Sequence, residues 1–276
     1  SAVAWQSTGS SKQRFEFRKT VALRDGYYSF TPSSSLKLLV GVNADMASEG
    51  VNTVLQAPTG SLAQKYFVSS NGDGTYQFKA CHSGKVLDVS SEGKVVQATP
   101  SSSLSQRWTV TPDRYGGFTI GAVRADGEAV CFWTGGNLFE GASVWAQAYP
   151  PSNNEQSFAI QEVNLVDDGL YTIDVAAQPS LSLSMTSGLL ASGQPAQLAA
   201  ASGTSVRQKF QVLNTDAGTV QLISELSDKA LCVSYGSNRG ASVVQWDNNG
   251  TDNMKWEIVP SYRGSVYVRN VASGMN

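Results

Sequence analysis

The sequence predicts an all-β protein, and three observations carry that expectation. Two short phrases alternate along the chain, the residues around them alternate with the two-residue period of strands, and Gly, Ser, Asn and Asp clusters punctuate throughout. The first phrase is a turn glycine followed by strand residues: "DGYYSF" at Asp25, "DGTYQF" at Asp73, "YGGFTI" at Tyr115, "DGLYTI" at Asp168, "DAGTVQL" at Asp216 and "YRGSVYV" at Tyr262. The second is Gln or Asn followed by an aromatic: "QRF" at Gln13, "QKY" at Gln64, "QRW" at Gln106, "QSF" at Gln156, "QKF" at Gln208 and a stretched "NMKW" at Asn253.

The five glutamines stand 51, 42, 50 and 52 residues apart, which leaves room for about four short strands in each unit. Within a unit the glycine turn opens the first strand. A Val-Leu-Asp-Val segment ("SGKVLDVSSEGKVVQ", Ser83 to Gln97) and a Val-Gln strand follow, and Gln-x-aromatic starts the closing strand.

Composition limits the functional classes. The chain has 276 residues, enough for two domains, with 41% hydrophobic residues to fill two cores. Charged residues make up 15% and the net charge is −2, so there is no electrostatic footprint for nucleic acid or an anionic membrane. No apolar stretch approaches the roughly 18 residues needed to span a bilayer, and no charged-then-apolar leader opens the chain; the expectation is a soluble module whose export signal has been removed. Cys81, Cys131 and Cys232 are odd in number, lack metal spacing and read as small core residues. No metal or cofactor is expected.

A unit of this length that opens on a glycine turn, passes "SGKVLDVSSEGKVVQ" and closes on Gln-x-aromatic resembles the ricin-type β-trefoil, shared with family 13 carbohydrate-binding modules. The fifth unit matches best, at "SDKALCVSYGSNRGASVVQWDNNGTDNMKWEI" from Ser227 to Ile258. The resemblance implies that the Gln ties down local backbone and that the aromatic fills a core around a pseudo-threefold axis: Tyr66, Trp108 and Phe158 in one trefoil, Phe210, Trp256 and Phe15 in the other.

Two long, similar links, "FEFRKTVALRDG" before Asp25 and "FAIQEVNLVDDG" before Asp168, are read as joints between whole trefoils. The expected architecture is two tandem β-trefoils of three repeats each, residues 25–164 and 165–276, with the sixth repeat split between the termini and the second trefoil completed by residues 1–24. A fragment of a tandem array, a further loop between the two ends and a circular permutation are all compatible with the split; the first two are favoured because permutation would not by itself remove a strand. In each case the N-terminal segment should fold with a C-terminal half-repeat, its own or a neighbour's.

In sugar-binding relatives, the resemblance implies an Asp in the Val-Leu-Asp-Val strand, an aromatic ending the Val-Gln strand and amides in the next turn. Carboxylate and amides fix hydroxyl pairs while the ring covers the apolar sugar face. Asp88 alone matches the Asp; Leu39, Cys131, Ser184 and Cys232 stand at the aligned places. The ring is Trp246 in repeat five and Trp5 in the split repeat, but Ala98 beside Asp88. The best remaining pocket is repeat five, with Trp246, Asn248, Asn249, Asp252 and Asn253, although Asn248-Asn249-Gly250 is also an ordinary turn composition. Asp88 without a ring equally fits a turn-satisfying carboxylate.

Trp133, Trp145 and Tyr149 are read as packing ahead of binding, and His82, the sole histidine, as an exposed structural residue. One histidine supports neither a catalytic triad nor a metal cluster, and Asp167 and Asp168 read as turn formers. The expected function is a non-catalytic carbohydrate-binding module of a secreted or cell-surface, bacterial-style protein, with weak, multivalent binding to a glycan or cell-surface polysaccharide. The alternative is a degenerate trefoil pair serving as a structural spacer or protein-binding unit.

Overall fold

The computed structural model describes residues 23–123, 130–148, 154–215, 218–234 and 239–276. The first repeat comprises β1 (Gly26–Pro32), β2 (Leu39–Val42), β3 (Thr53–Gln56) and β4 (Tyr66–Ser70). The second is β5 (Tyr76–Ala80), β6 (Val86–Val89), β7 (Val95–Ala98) and β8 (Trp108–Pro112), and the third is β9 (Phe118–Ala122), β10 (Val130–Trp133), β11 (Trp145–Ala148) and β12 (Phe158–Glu162). No α-helix occurs among the described residues.

The first and last strands of each repeat build a closed antiparallel barrel, running β1, β4, β5, β8, β9, β12 and back to β1. The two middle strands form a hairpin, and isolated bridges at Asn52–Val96, Val54–Ser143 and Lys94–Trp145 join the three hairpins into a cap. This is a β-trefoil. Closure explains the alternating pattern: in β5, Tyr76, Phe78 and Ala80 are buried while Gln77 and Lys79 face outward. Tyr66, Trp108 and Phe158 are fully buried, as expected, and meet Phe30, Phe78 and Phe132 at ring-centroid distances of 4.9 to 5.9 Å. The Trp108 indole N–H donates to the Leu87 carbonyl at 3.1 Å, so its one polar atom is satisfied inside the core.

A single 3₁₀ turn precedes each described closing strand, and in the first, second and fourth repeats the glutamine ending it secures the loop before it. Gln64 Oε1 accepts from Thr59 N and its Nε2 donates to Ala57 O; Gln106 does the same with Ser101 and Thr99, and Gln208 with Ser202 and Ala200. Buried amides are held this way because an unmade hydrogen bond costs about 1 to 3 kcal/mol.

The second trefoil contains β13 (Gly169–Tyr171), β14 (Asp174–Val175), β15 (Gln178–Met185), β16 (Ala196–Ala200), β17 (Phe210–Asn214), β18 (Val220–Ser224), β19 (Lys229–Val233), β20 (Val243–Trp246), β21 (Trp256–Pro260) and β22 (Val266–Asn270). Its barrel ladder runs β13, β17, β18, β21, β22, and among the described residues β22 and β13 are its two ends. Phe210 and Trp256 are buried in its core, and Trp256 Nε1 donates to Leu231 O at 3.2 Å, the counterpart of the Trp108 bond. Phe15, the third expected ring, lies outside the described residues, as do Trp5, Tyr149 and nearly all of the segment 1–24.

The two long links end in the same local structure. Tyr28 Oη donates to Arg24 O at 3.2 Å and Tyr171 Oη to Asp167 O at 3.0 Å. Asp25 Oδ1 accepts from Ser70 N at 2.9 Å, and Asp168 Oδ1 from Asn214 N at 2.7 Å. Lys65 Nζ donates to the Asn164 and Leu165 carbonyls of the second link. The trefoils also meet where Gly264 N donates to His82 O at 3.0 Å and the Tyr262 ring lies on Gly84. Gly84 is required there: its φ is +71°, and a Cβ would stand 2.8 Å from Tyr262 Cγ.

His82 corrects an expectation. It is 4% exposed rather than exposed, with Nε2 3.1 Å from Met46 O, because the turn that carries it is pressed against the neighbouring loop and the second trefoil. The three cysteines are buried and free, as the sequence suggests.

Candidate functional site

Repeats two and five superimpose in logic, strand for strand, and their differences define the site. In repeat two, β6 places Asp88 beside the 3₁₀ turn that ends in Gln106, and Gln106 Nε2 donates to Asp88 Oδ2 at 2.9 Å. Asp88 Oδ1 accepts from Val89 N at 2.7 Å. Both carboxylate oxygens therefore have protein donors, and Ala98 supplies no ring.

In repeat five, β19 places Cys232 where Asp88 stands, and Met254 ends the 3₁₀ turn where Gln106 stands. The stretched motif is thereby corrected: Met254, two residues before Trp256, is the counterpart of the glutamine, and Asn253 occupies the place of Ser105. Cys232 and Met254 are 3% and 2% exposed. Burial pushes the Cys232 thiol upward from its ordinary pKa, so it is a neutral thiol.

Trp246 ends β20 with its ring 38% exposed, as expected of a platform. Together with Asn249, Thr251, Asn253, Cys232 and Met254 it lines a cavity of about 220 Å³. Asn253 Nδ2 donates to Val233 O at 3.3 Å, and Thr251 Oγ1 lies within 2.6 Å of both Asn249 Oδ1 and Asn253 Oδ1. The rim is thus a preformed amide–hydroxyl network.

Two of the expected residues are drawn elsewhere. Asn248 exchanges amide hydrogen bonds with Gln221 at 3.0 and 3.1 Å, and Asp252 Oδ1 accepts from Lys255 Nζ at 2.9 Å; neither lines the cavity. Asp247, flanking Trp246, is paired with Lys229 and accepts from Ser192 Oγ at 2.9 Å; the Lys229 hydrogen bond first, then that of Ser192, holds its carboxyl below the usual range. Sequence reasoning did not single out Met254 or Thr251 as site residues. The signal was the broken glutamine motif itself, since a buried thioether in a position that elsewhere demands an amide marks a change in the pocket floor.

The other repeats offer less. Val40, Leu87 and Phe132 are the core residues of their hairpins, each fully buried, which puts Gly41 and Trp133 at the place of Asp88, not Leu39 and Cys131. The slip arises because hairpin length differs between repeats while the core contact decides the register. Trp133 Nε1 donates to Glu155 Oε2 at 2.7 Å and pairs across the hairpin with Trp145, whose ring Lys94 covers at 5.4 Å; both rings serve packing. Ser184 is buried, its Oγ donating to Met185 O. Wider hollows of about 670 and 840 Å³ lie at the junction of the trefoils, but neither presents an exposed ring beside free amides. Among the described residues no group of three or more His, Cys, Asp or Glu side chains could hold a metal ion. No described helix is long and apolar enough to cross a membrane.

Comparison with solved structures returns a mosquitocidal holotoxin at 15% identity and a TM-score of 0.49, over 90% of this chain; the chain spans only 30% of the length of that toxin chain. A designed threefold-symmetric protein, ThreeFoil, is 27% identical over 50% of this chain and all of its own, with a TM-score of 0.45. A Macrolepiota procera ricin B-like lectin, solved in complex with lactose, is 12% identical over 52% of this chain and all of its own, with a TM-score of 0.44. Comparison with curated proteins finds no match. The profile of the ricin-type beta-trefoil lectin domain-like family matches residues 11–101 and 206–276, more than half of the sequence. With the closed barrel, the capping hairpins and the glutamine-anchored turns, this places the chain in the ricin-type β-trefoil lectin family.

Proposed function

We propose that the chain is a non-catalytic carbohydrate-binding module, acting at the fifth repeat, within a secreted or cell-surface protein. The observation that carries this reading is the half-exposed Trp246 ring at the mouth of a small cavity rimmed by Asn249 and Asn253. A ring covers the apolar face of a sugar, and amides bond its substituents. The cavity volume suits one saccharide ring rather than a chain, and a shallow single-ring site gives weak binding, of order 0.1 to 1 mM. Useful affinity then comes from several sites in a longer protein. Asp88 is a weaker second position because its carboxylate is already bonded and has no ring partner.

The test is a glycan array on the intact chain, followed by titration of Trp246→Ala with circular dichroism as the folding control. Loss of binding in a folded variant supports the site; unchanged affinity removes it. A chain that binds no glycan in any format would favour the spacer or protein-binding reading, which rests on the loss of the Asp–ring pair from every described repeat.

A further inference from the structure

The floor of the repeat-five cavity differs chemically from that of repeat two, and this difference points to a class of sugar; the inference rests on the lectin reading above. In repeat two the floor is a polar pair, Asp88 bonded to Gln106. In repeat five the same two positions are Cys232 and Met254, buried with Ile223, Ala230 and Val244 in one apolar cluster. Neither sulfur group replaces a carboxylate as an acceptor, since a thioether accepts weakly and a neutral thiol little better. A hydroxyl pushed onto this floor would give up water without gaining a partner. A methyl group would lose nothing there, and thioethers adapt to apolar shapes.

The rim makes a complementary demand. Asn253 uses one of its two amide hydrogens on Val233 O, and the Asn249 Oδ1 is engaged by Thr251, which leaves amide donors of both residues at the mouth of the cavity. Such donors fit a carbonyl oxygen. A substituent that joins a methyl to a carbonyl and an N–H matches floor and rim together.

We propose that the repeat-five pocket selects 2-acetamido-2-deoxyhexoses, with the acetamido methyl on Cys232 and Met254, its carbonyl at the Asn249 and Asn253 amides, and the sugar ring on Trp246. Cys232 and Met254 are then specificity-determining residues. An unsubstituted hexose retains only the ring contact.

The intact chain would be titrated with the methyl glycosides of N-acetylgalactosamine, N-acetylglucosamine, galactose, glucose and fucose, with binding followed by NMR shifts. At least one acetamido sugar is expected to bind tenfold or more tightly than its unsubstituted parent, and fucose, which carries a methyl but no amide, to remain near the parents. Equal affinity for acetamido and parent sugars, or fucose matching the acetamido sugars, overturns the specificity while leaving the lectin reading intact. Absence of binding to all five overturns the specificity, and absence of binding on the glycan array as well overturns the lectin reading with it. A double variant, Cys232→Asp with Met254→Gln, reinstates the repeat-two floor and should reduce the acetamido preference at least tenfold; a folded variant with an unchanged preference overturns the assignment to these residues. Should it fail to fold, Met254→Gln alone, which adds an amide to the floor, is expected to weaken the preference at least threefold, and the wild-type ratio decides the sugar class independently.

Discussion

The two trefoils use the same repeat pattern, but their barrels differ among the described residues. In the first, β12 pairs with both β9 and β1, and Tyr28, which faces β12 and β4, is 6% exposed. In the second, the equivalent Tyr171 pairs among the described residues with β17 and stands half-exposed, and Val268 of β22 is half-buried where Ile120 of β9 is fully buried. The first core gathers six mutually packed rings, whereas the buried cluster of the second contains two. A repeat buries its apolar face only against neighbours on both sides, so among the described residues the ladder that ends at β13 and β22 encloses the smaller core.

The largest expected effect would come from separating the halves. Residues 25–164 expressed alone should melt cooperatively, because all six barrel strands are present. Residues 165–276 without 1–24 should show no cooperative transition by circular dichroism or calorimetry. A melt of that piece matching the intact chain's would break the comparison and remove the proposal that residues 1–24 complete the second barrel.

Core truncation sharpens it further. Trp108→Ala, which removes a ring packed against Phe78 and Phe132, should cost roughly 4 to 5 kcal/mol in denaturant titration, and Trp256→Ala, whose buried cluster holds one other ring, nearer 3. Equal costs would mean that the second core is as tightly held as the first.

A smaller effect distinguishes repeats two and five within their trefoils. Ala98→Trp would add to Asp88 the ring it lacks, at an accessible strand end. The expected outcome is new binding of unsubstituted galactose or glucose at about 1 mM, some 4 kcal/mol, seen as NMR shifts absent in the wild type. A folded variant with no such shifts would mean that the Gln106 and Val89 bonds have withdrawn the carboxylate from use.

The smallest effect is electrostatic. The Lys85 hydrogen bond first, then those of Thr99, lowers Glu49 from 4.5 to about 2. A depressed folded-state value stabilises the protein above the unfolded pKa, and that contribution is lost as pH falls from about 4.5 through 2. Because Glu49 is exposed, the worth is under about 1 kcal/mol. Glu49→Gln should therefore melt slightly below the wild type at pH 6 and coincide with it near pH 2; a constant difference would mean that the charge is not the cause. In the second trefoil the Lys229–Asp247 pair should behave with the same sign.

By itself the sequence determined the all-β class, the trefoil, the buried rings Tyr66, Trp108, Phe158, Phe210 and Trp256, and the exposure of Trp246. These follow from strand alternation and from a glutamine that must be hydrogen-bonded next to an aromatic that must be buried, both local rules written in adjacent residues. What only the tertiary structure decided lies where distant segments meet. His82 is buried because the loop at Met46 and the second trefoil close over it. Gly41 and Trp133 take the Asp88 position because core packing, not residue counting, sets each hairpin's register. Asn248 and Asp252 leave the site because Gln221 and Lys255 lie within hydrogen-bonding reach. Cys232 and Met254, 22 residues apart, become one apolar floor because β19 and the 3₁₀ turn before β21 fold onto each other, and no local pattern encodes a contact across that separation.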